Sequence, residues 1–276
     1  MFSRLPVPRV EWSEKNMRYM LCAFPLVGVV IGAIVAGVCL ALEELTMTIA
    51  MGAASGESGT MVSVLRHLLP LVLVLIPVAV TGGIHVDGFM DTCDALGSHA
   101  DREKKLAIMK DSHCGAFSVM GCVLYFLADF VLVSEFCRVF FMEEHTGSFS
   151  DGNCIRLVAC FSLSFVTSRL LSAFSVATFP IAKDSGLVRT FADASAKRFT
   201  AAWCAICFML LSGLLVWFCR AHGAGILAAQ LVVFGVYFVM TKRNFGGITG
   251  DTAGWFVQMS ELMSVLALVL TAMLLF

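Results

Sequence analysis

Charge is what this sequence has least of. Only 14% of its 276 residues are Asp, Glu, Lys or Arg, where a soluble chain carries about a quarter because its surface must face water. That shortage excludes an ordinary water-soluble domain. Basic and acidic residues nearly cancel, at a net charge of −1, so no basic footprint marks a nucleic-acid partner and none is expected. Also missing are a Walker-type phosphate loop, a Ser-His-Asp arrangement, a Cys/His zinc spacing, a low-complexity tract and an internal repeat. The first sixteen residues hold Pro6, Pro8, Glu11 and Glu14 and no compact apolar core, so a cleavable signal peptide is not expected.

What the chain has instead is apolar mass, at 59% hydrophobic residues with 23 Phe. Most of its eleven cysteines, among them Cys22, Cys39, Cys122, Cys160 and Cys219, fall inside apolar runs and act as small hydrophobes. Cys204 and Cys207 form a CxxC, but within an apolar run and without the βαβ setting of a redox motif. This usage fits a reducing compartment. A spanning helix needs about 20 mostly apolar residues, and seven stretches qualify: roughly 19–42, 65–84, 116–138, 157–181, 201–219, 224–241 and 255–276. The expectation is an all-α, multi-pass membrane bundle, one domain over residues 1–276, with the lipid bilayer as its surroundings. Pro70 and Pro77 kink the second span without excluding it. The fourth, with Ser162, Ser164, Thr167, Ser168, Arg169 and Ser172, is too polar for lipid and is expected to line an internal cavity. Residues 43–64 read as a flexible outer connection. Gly28 and Gly32 form a GxxxG that suggests a close helix contact and leaves the oligomeric state open.

Lys and Arg in alternate loops set the orientation. Arg4, Arg9, Lys15, Arg18, Arg102, Lys104, Lys105, Lys110, Lys183, Arg189, Lys197, Arg198, Lys242 and Arg243 fall on one side, fourteen in all. Arg66, Arg138, Arg156 and Arg220 fall on the other. The first side is therefore expected to be cytoplasmic, together with the amino terminus.

That side carries the most polar stretch, Gly82 to Gly121. Asp87, Asp91 and Asp94 stand four and then three residues apart with no Lys or Arg between Gly82 and Ala100. On a helix the three share one face. Like charges so placed repel unless a cation lies among them, and Mg²⁺ takes one or two carboxylates plus waters and substrate phosphates. A solvated loop helix is the bland alternative, but such a face would mix its signs. His85 reads either as a contact to ligand or substrate or as a cap.

A second polar group, Gly246-Gly-Ile-Thr-Gly-Asp251, precedes the last span, which carries Glu261 ten residues later. Glycine-rich backbone at a helix start can hold an anion. An isolated charge at mid-membrane costs about 2.5–3.5 kcal/mol, so Glu261 and Arg169 each need a partner or a cavity. Together these features suggest phosphoryl-group chemistry at a membrane surface.

Five elements, in order, resemble the cobalamin synthases, the adenosylcobinamide-GDP ribazoletransferases. Arg4-Leu-Pro-Val-Pro8 is similar to that family's TRLPVP, Phe24-Pro-Leu-Val-Gly28 to its FPLVG, and Gly82-Gly-Ile-His-Val-Asp-Gly-Phe-Met-Asp91 to its GGxHxDGxxDxxDG. Met109-Lys-Asp-Ser112 with Gly115-Ala-Phe resembles MRDSxxGAFG, and Gly247-Ile-Thr-Gly-Asp251 resembles GxTGD. Ala95, Lys110, His113 and Cys114 depart from the pattern. The resemblance implies a membrane enzyme in which α-ribazole, or its 5′-phosphate, attacks the pyrophosphate of adenosylcobinamide-GDP and releases GMP. It implies Mg²⁺ on Asp87, Asp91 and Asp94, with Asp87, Asp91, His85 and Asp111 catalytic. Gly82, Gly83, Gly88, Lys110, Ser112, Arg169, Gly247, Thr249, Gly250, Asp251 and Glu261 would contact substrate. Which Asp is ligand and which is base stays open, as does a second metal on Asp111 and Asp251. A bacterial inner membrane is the implied location.

Two rivals fit less well. A CDP-alcohol phosphotransferase requires DGxxAR, whereas Asp87-Gly88 is followed by Phe-Met-Asp-Thr. A cation-coupled transporter predicts mid-membrane acids and a repeated half, whereas here the acids concentrate in the loops and no repeat shows, with Asp129 and Glu261 in the spans as the features in its favour.

Overall fold

In hydrocarbon every backbone N–H and C=O must find a partner within its own segment, so long apolar runs become helices. The computed structural model describes residues 3–4, 17–52, 57–145, 153–182 and 187–275. Among them are ten α-helices: α1 (Met20–Gly52), α2 (Glu57–Thr81), α3 (Ile84–Gly97), α4 (Arg102–Ile108), α5 (Ala116–His145), α6 (Asn153–Thr178), α7 (Leu187–Ala194), α8 (Lys197–Cys219), α9 (Ala221–Asn244) and α10 (Gly250–Leu275). Seven of these, α1, α2, α5, α6, α8, α9 and α10, are long and apolar enough to cross a membrane. Each matches one expected span.

The 43–64 stretch departs from expectation. It is helical up to Gly52 and again from Glu57, with residues 53–56 outside the described set. Leu45, Met47 and Ile49 continue the apolar content of α1 past Glu43 and Glu44, and no Pro or Gly interrupts it before Gly52. The basic 182–200 stretch also holds an unexpected element, the short helix α7. Lys183 there, and Arg9, Lys15 and the Leu5–Pro8 portion of the amino-terminal element, lie outside the described residues.

Helix α6 is the axis of the bundle. Of its most apolar stretch 83% is buried inside the protein, against 17% for α5 and for α8. It packs on α1, α8 and α10, and its polarity is turned inward. Ser164, Ser168 and Ser175 donate to carbonyls one turn back within α6. In lipid, helices gain little from apolar burial and depend on close backbone approach. The GxxxG supplies that inside this chain: a Cβ at Gly28 would strike the Phe165 carbonyl, and one at Gly32 the Ser162 carbonyl. Ile31, Val35, Leu73, Phe136, Phe161 and Val265 fill the core between these helices. Leu124, Leu127 and Val131 of α5 and Met209, Leu210 and Trp217 of α8 face outward, as lipid contact requires. All eleven cysteines are free thiols, Cys204 and Cys207 included.

Candidate active site

Two glycines start the site. Gly82 and Gly83 take φ of 70° and 81°, a left-handed conformation that lets the chain reverse between α2 and α3 at little cost. The turn is closed by Gly83 N donating to Val78 O (3.1 Å). Arg4 braces it, its N donating to Val80 O (2.8 Å) while its side chain lies over Gly82. Helix α3 then carries His85, Asp87, Asp91 and Asp94, so the expected Asp helix is present.

Small residues seat α3 on its neighbours. Gly88 meets the backbone of Asp251, and Gly254 meets the backbone of His85, which presses α3 against the start of α10. Gly115 lies on the Asp94 carboxylate, where a Cβ would collide with both oxygens, and Gly121 lies on Cys93, which seats α5. The same end gathers the other motif loops. Ile248 N donates to Pro180 O (2.8 Å) and Ala182 N to Ile248 O (3.0 Å), so the 246–251 loop pairs with the exit of α6. Gly246, at φ 74°, lies under the Arg102 guanidinium, and Lys105 Nζ donates to Asn244 Oδ1 (2.7 Å).

Between α1, α3, α6, α7 and α10 lies a cavity of about 150 Å³. His85, Asp87, Gly250, Asp251 and Gly254 line it along the α3 and α10 seam, with Ser172 on α6; the remaining wall is largely apolar. Asp87 is exposed and Asp91 half-buried. His85 is 6% exposed, packs edge-on against Phe24 (5.8 Å between ring centres), and its buried Nδ1 has no hydrogen-bond partner among the described residues. Burial, and after it the Arg169 charge, push the imidazole down to about 3. His85 is therefore a neutral ring at physiological pH.

Other expected residues lie apart from this cavity. Gly247 fits against Pro180 O and the Ala182 N–H. Thr249 caps α10: its N donates to Thr252 Oγ1 (2.8 Å) and Thr252 N donates back to Thr249 Oγ1 (3.2 Å). This reciprocal box satisfies N–H groups that an anion would otherwise claim. Lys110, Asp111 and Ser112 occupy an exposed turn after α4. His113 Nδ1 sits 2.6 Å from Asp111 Oδ1, and the bonds from His113 hold that carboxyl below its ordinary value. Arg169 and Glu261 are paired with each other inside the bundle, Nη1 to Oε1 at 2.5 Å, with Arg169 fully buried. Glu261 also borders a small cavity of about 20 Å³ with Asp129 and Tyr125.

A family model described as "Cobalamin-5-phosphate synthase" matches residues 1–269. The chain belongs to the cobalamin-5-phosphate synthase family. A relative named adenosylcobinamide-GDP ribazoletransferase in Lachnoclostridium phytofermentans is 35% identical over 98% of this chain and 90% of its own length. Relatives of the same name from Clostridium perfringens (97% of this chain, 94% of theirs) and Escherichia coli (96% and 95%) are each 28% identical. No solved structure matches.

The family motifs thus meet at one end of the bundle, but the three aspartates do not make a closed cage. Among the described residues no group of three or more His, Cys, Asp or Glu side chains is placed to hold one ion. The reason is axial distance. Seven residues of helix separate Asp87 from Asp94 by roughly 10 Å, beyond the span of one Mg²⁺ with bonds near 2.1 Å. Asp87 and Asp91 stand closer, four residues or roughly 6 Å apart along the helix axis. Ser172 lines this cavity, in keeping with the internal cavity expected of the fourth span, whereas sequence reading gave Phe24 no role in the site and missed Phe191 altogether. For Phe191 a signal existed in the apolar spacing of Val188, Phe191 and Ala192.

Proposed function

We propose that this chain transfers the adenosylcobinamide phosphate group from adenosylcobinamide-GDP to α-ribazole or its 5′-phosphate, the last step of nucleotide-loop assembly. The observation that carries the reading is the convergence of His85, Asp87 and Asp251, from two separate family motifs, on one cavity at the motif-bearing end of the bundle. In the reaction a ribose hydroxyl oxygen bonds to the cobinamide-bearing phosphorus. The bond from that phosphorus to the bridging oxygen breaks, GMP leaves with that oxygen, and the hydroxyl proton passes to a base.

An aspartate at the cavity mouth takes the role of base, and Asp251 and Asp87 are the two that reach it. Asp87 and Asp91 would hold Mg²⁺, which when bound offsets charge on the pyrophosphate oxygens. Neutral His85 cannot add positive charge; it serves as a hydrogen-bonding group. Arg169, held by Glu261, supports the packing of α6 on α10 beneath the site. The motif end faces the cytoplasm of a bacterial inner membrane, as the fourteen basic residues favour.

The test is GMP release from adenosylcobinamide-GDP by membranes bearing the chain, with α-ribazole and Mg²⁺ each added or withheld. Release that requires both supports the reading. Release indifferent to α-ribazole would mean hydrolysis, and full release in EDTA would remove the metal.

A further inference from the structure

We propose that the 150 Å³ cavity receives the planar base of α-ribazole, so that its ribose lies at the mouth beside Asp87 and Asp251. This rests on the transferase reading and adds which substrate enters where. The walls away from the carboxylates are Leu21, Phe24, Ala173, Val176, Val188 and Phe191. They offer aromatic and aliphatic surface and no charge.

Three parts of the two substrates compete for this space. Pyrophosphate is anionic, and an uncharged apolar wall would strip its water without replacing it. The corrin macrocycle, built from four linked pyrrole-type rings, is far larger than a cavity of about 150 Å³. Guanine has a size close to that of benzimidazole, but its edge carries several donors and acceptors that each need a partner. The six apolar wall residues offer none, and seating that edge on Asp87 or Asp251 would take from the site the carboxylates that the transfer uses. A benzimidazole whose first nitrogen bears ribose has one polar edge atom, its other ring nitrogen. His85 lines the cavity beside the carboxylates, and one imidazole is enough for one such atom. The rings of Phe24 and Phe191 give a planar base the stacking surface it uses elsewhere.

Calorimetric titration of α-ribazole alone, and of adenosylcobinamide-GDP alone, into the detergent-solubilised full chain tests this. Phe191→Ala removes a wall and Val176→Trp fills the space. Each is expected to weaken α-ribazole by about tenfold or more while leaving adenosylcobinamide-GDP within about twofold. Weakening of adenosylcobinamide-GDP alone would overturn the assignment in favour of guanine, and no change in either ligand would mean the cavity holds neither. Should Val176→Trp fail to fold, the wild-type chain still decides: an adenine riboside should bind about tenfold or more weaker than α-ribazole, and equal binding overturns the proposal. A wild-type chain that binds both substrates yet releases no ribazole-dependent GMP would fail the transferase reading while leaving the binding result to judge the cavity.

Discussion

Gly88 of α3 lies so close to Asp251 of α10 that a Cβ at position 88 would stand 2.8 Å from both the Cα and the carbonyl oxygen of Asp251. The obstacle is backbone, which cannot swing aside as a side chain does. Gly88→Ala must therefore push α3 and α10 apart and separate Asp87 from Asp251. A misplacement of about 1 Å can cost 10²-fold in rate, and a loss of that order is expected in the GMP-release assay. Gly37→Ala, which meets nothing within 4 Å, should leave turnover unchanged. Equal activity in the two variants would show that the seam does not position the site.

Removing the charge of Asp87 or Asp91 tests the carboxylates themselves. Asp87→Asn and Asp91→Asn keep the shape of the side chain, and each is expected to cost about 10²-fold or more in turnover. Membrane insertion, followed by the yield of folded protein in detergent, should be unaffected. Full activity in both would remove the carboxylates from the chemistry.

Arg169 and Glu261 make a buried pair whose value appears when one member is removed. Breaking such a pair costs about 3–5 kcal/mol, because the remaining charge is left uncompensated, whereas replacing both by apolar residues is often neutral. Glu261→Leu or Arg169→Met alone should thus lower the thermal midpoint sharply in detergent. The double variant should recover most of the loss. Additive losses would mean that the two side chains act separately.

Gly115 offers a route to Asp94 that leaves the aspartate itself intact. A Cβ at 115 would displace both oxygens of that carboxylate, and with the ion assigned to Asp87 and Asp91, Gly115→Ala should leave the Mg²⁺ concentration needed for half-maximal rate unchanged. A raised Mg²⁺ requirement would bring Asp94 into the metal site.

Much of this was legible in the sequence because hydrophobic runs long enough to span a bilayer have few alternatives to a helix. All seven spans were placed, and Asp87, Asp91 and Asp94 fell on one helix as their spacing implied. Distance along the axis was not legible from a shared face alone, and it is what keeps Asp87 and Asp94 from sharing an ion. Nor could the sequence pair Arg169 with Glu261, which lie 92 residues apart, although the cost of a lone charge in lipid called for some partner for each. The cavity wall was hidden for another reason. Phe24, Ala173 and Phe191 are ordinary apolar residues locally, and only the packing of α1, α6 and α7 around His85 makes them one surface. The roles of Thr249 and Gly247 also changed in the fold, from anion contacts to the cap and close packing that hold Gly250 and Asp251 in place.

The most direct measurement is the stoichiometry of products from purified protein supplied with adenosylcobinamide-GDP, α-ribazole and Mg²⁺. The account predicts one GMP for each molecule of adenosylcobalamin, with both products lost together in Asp87→Asn. GMP formed without the corrinoid product, or both formed undiminished by Asp87→Asn, would contradict it.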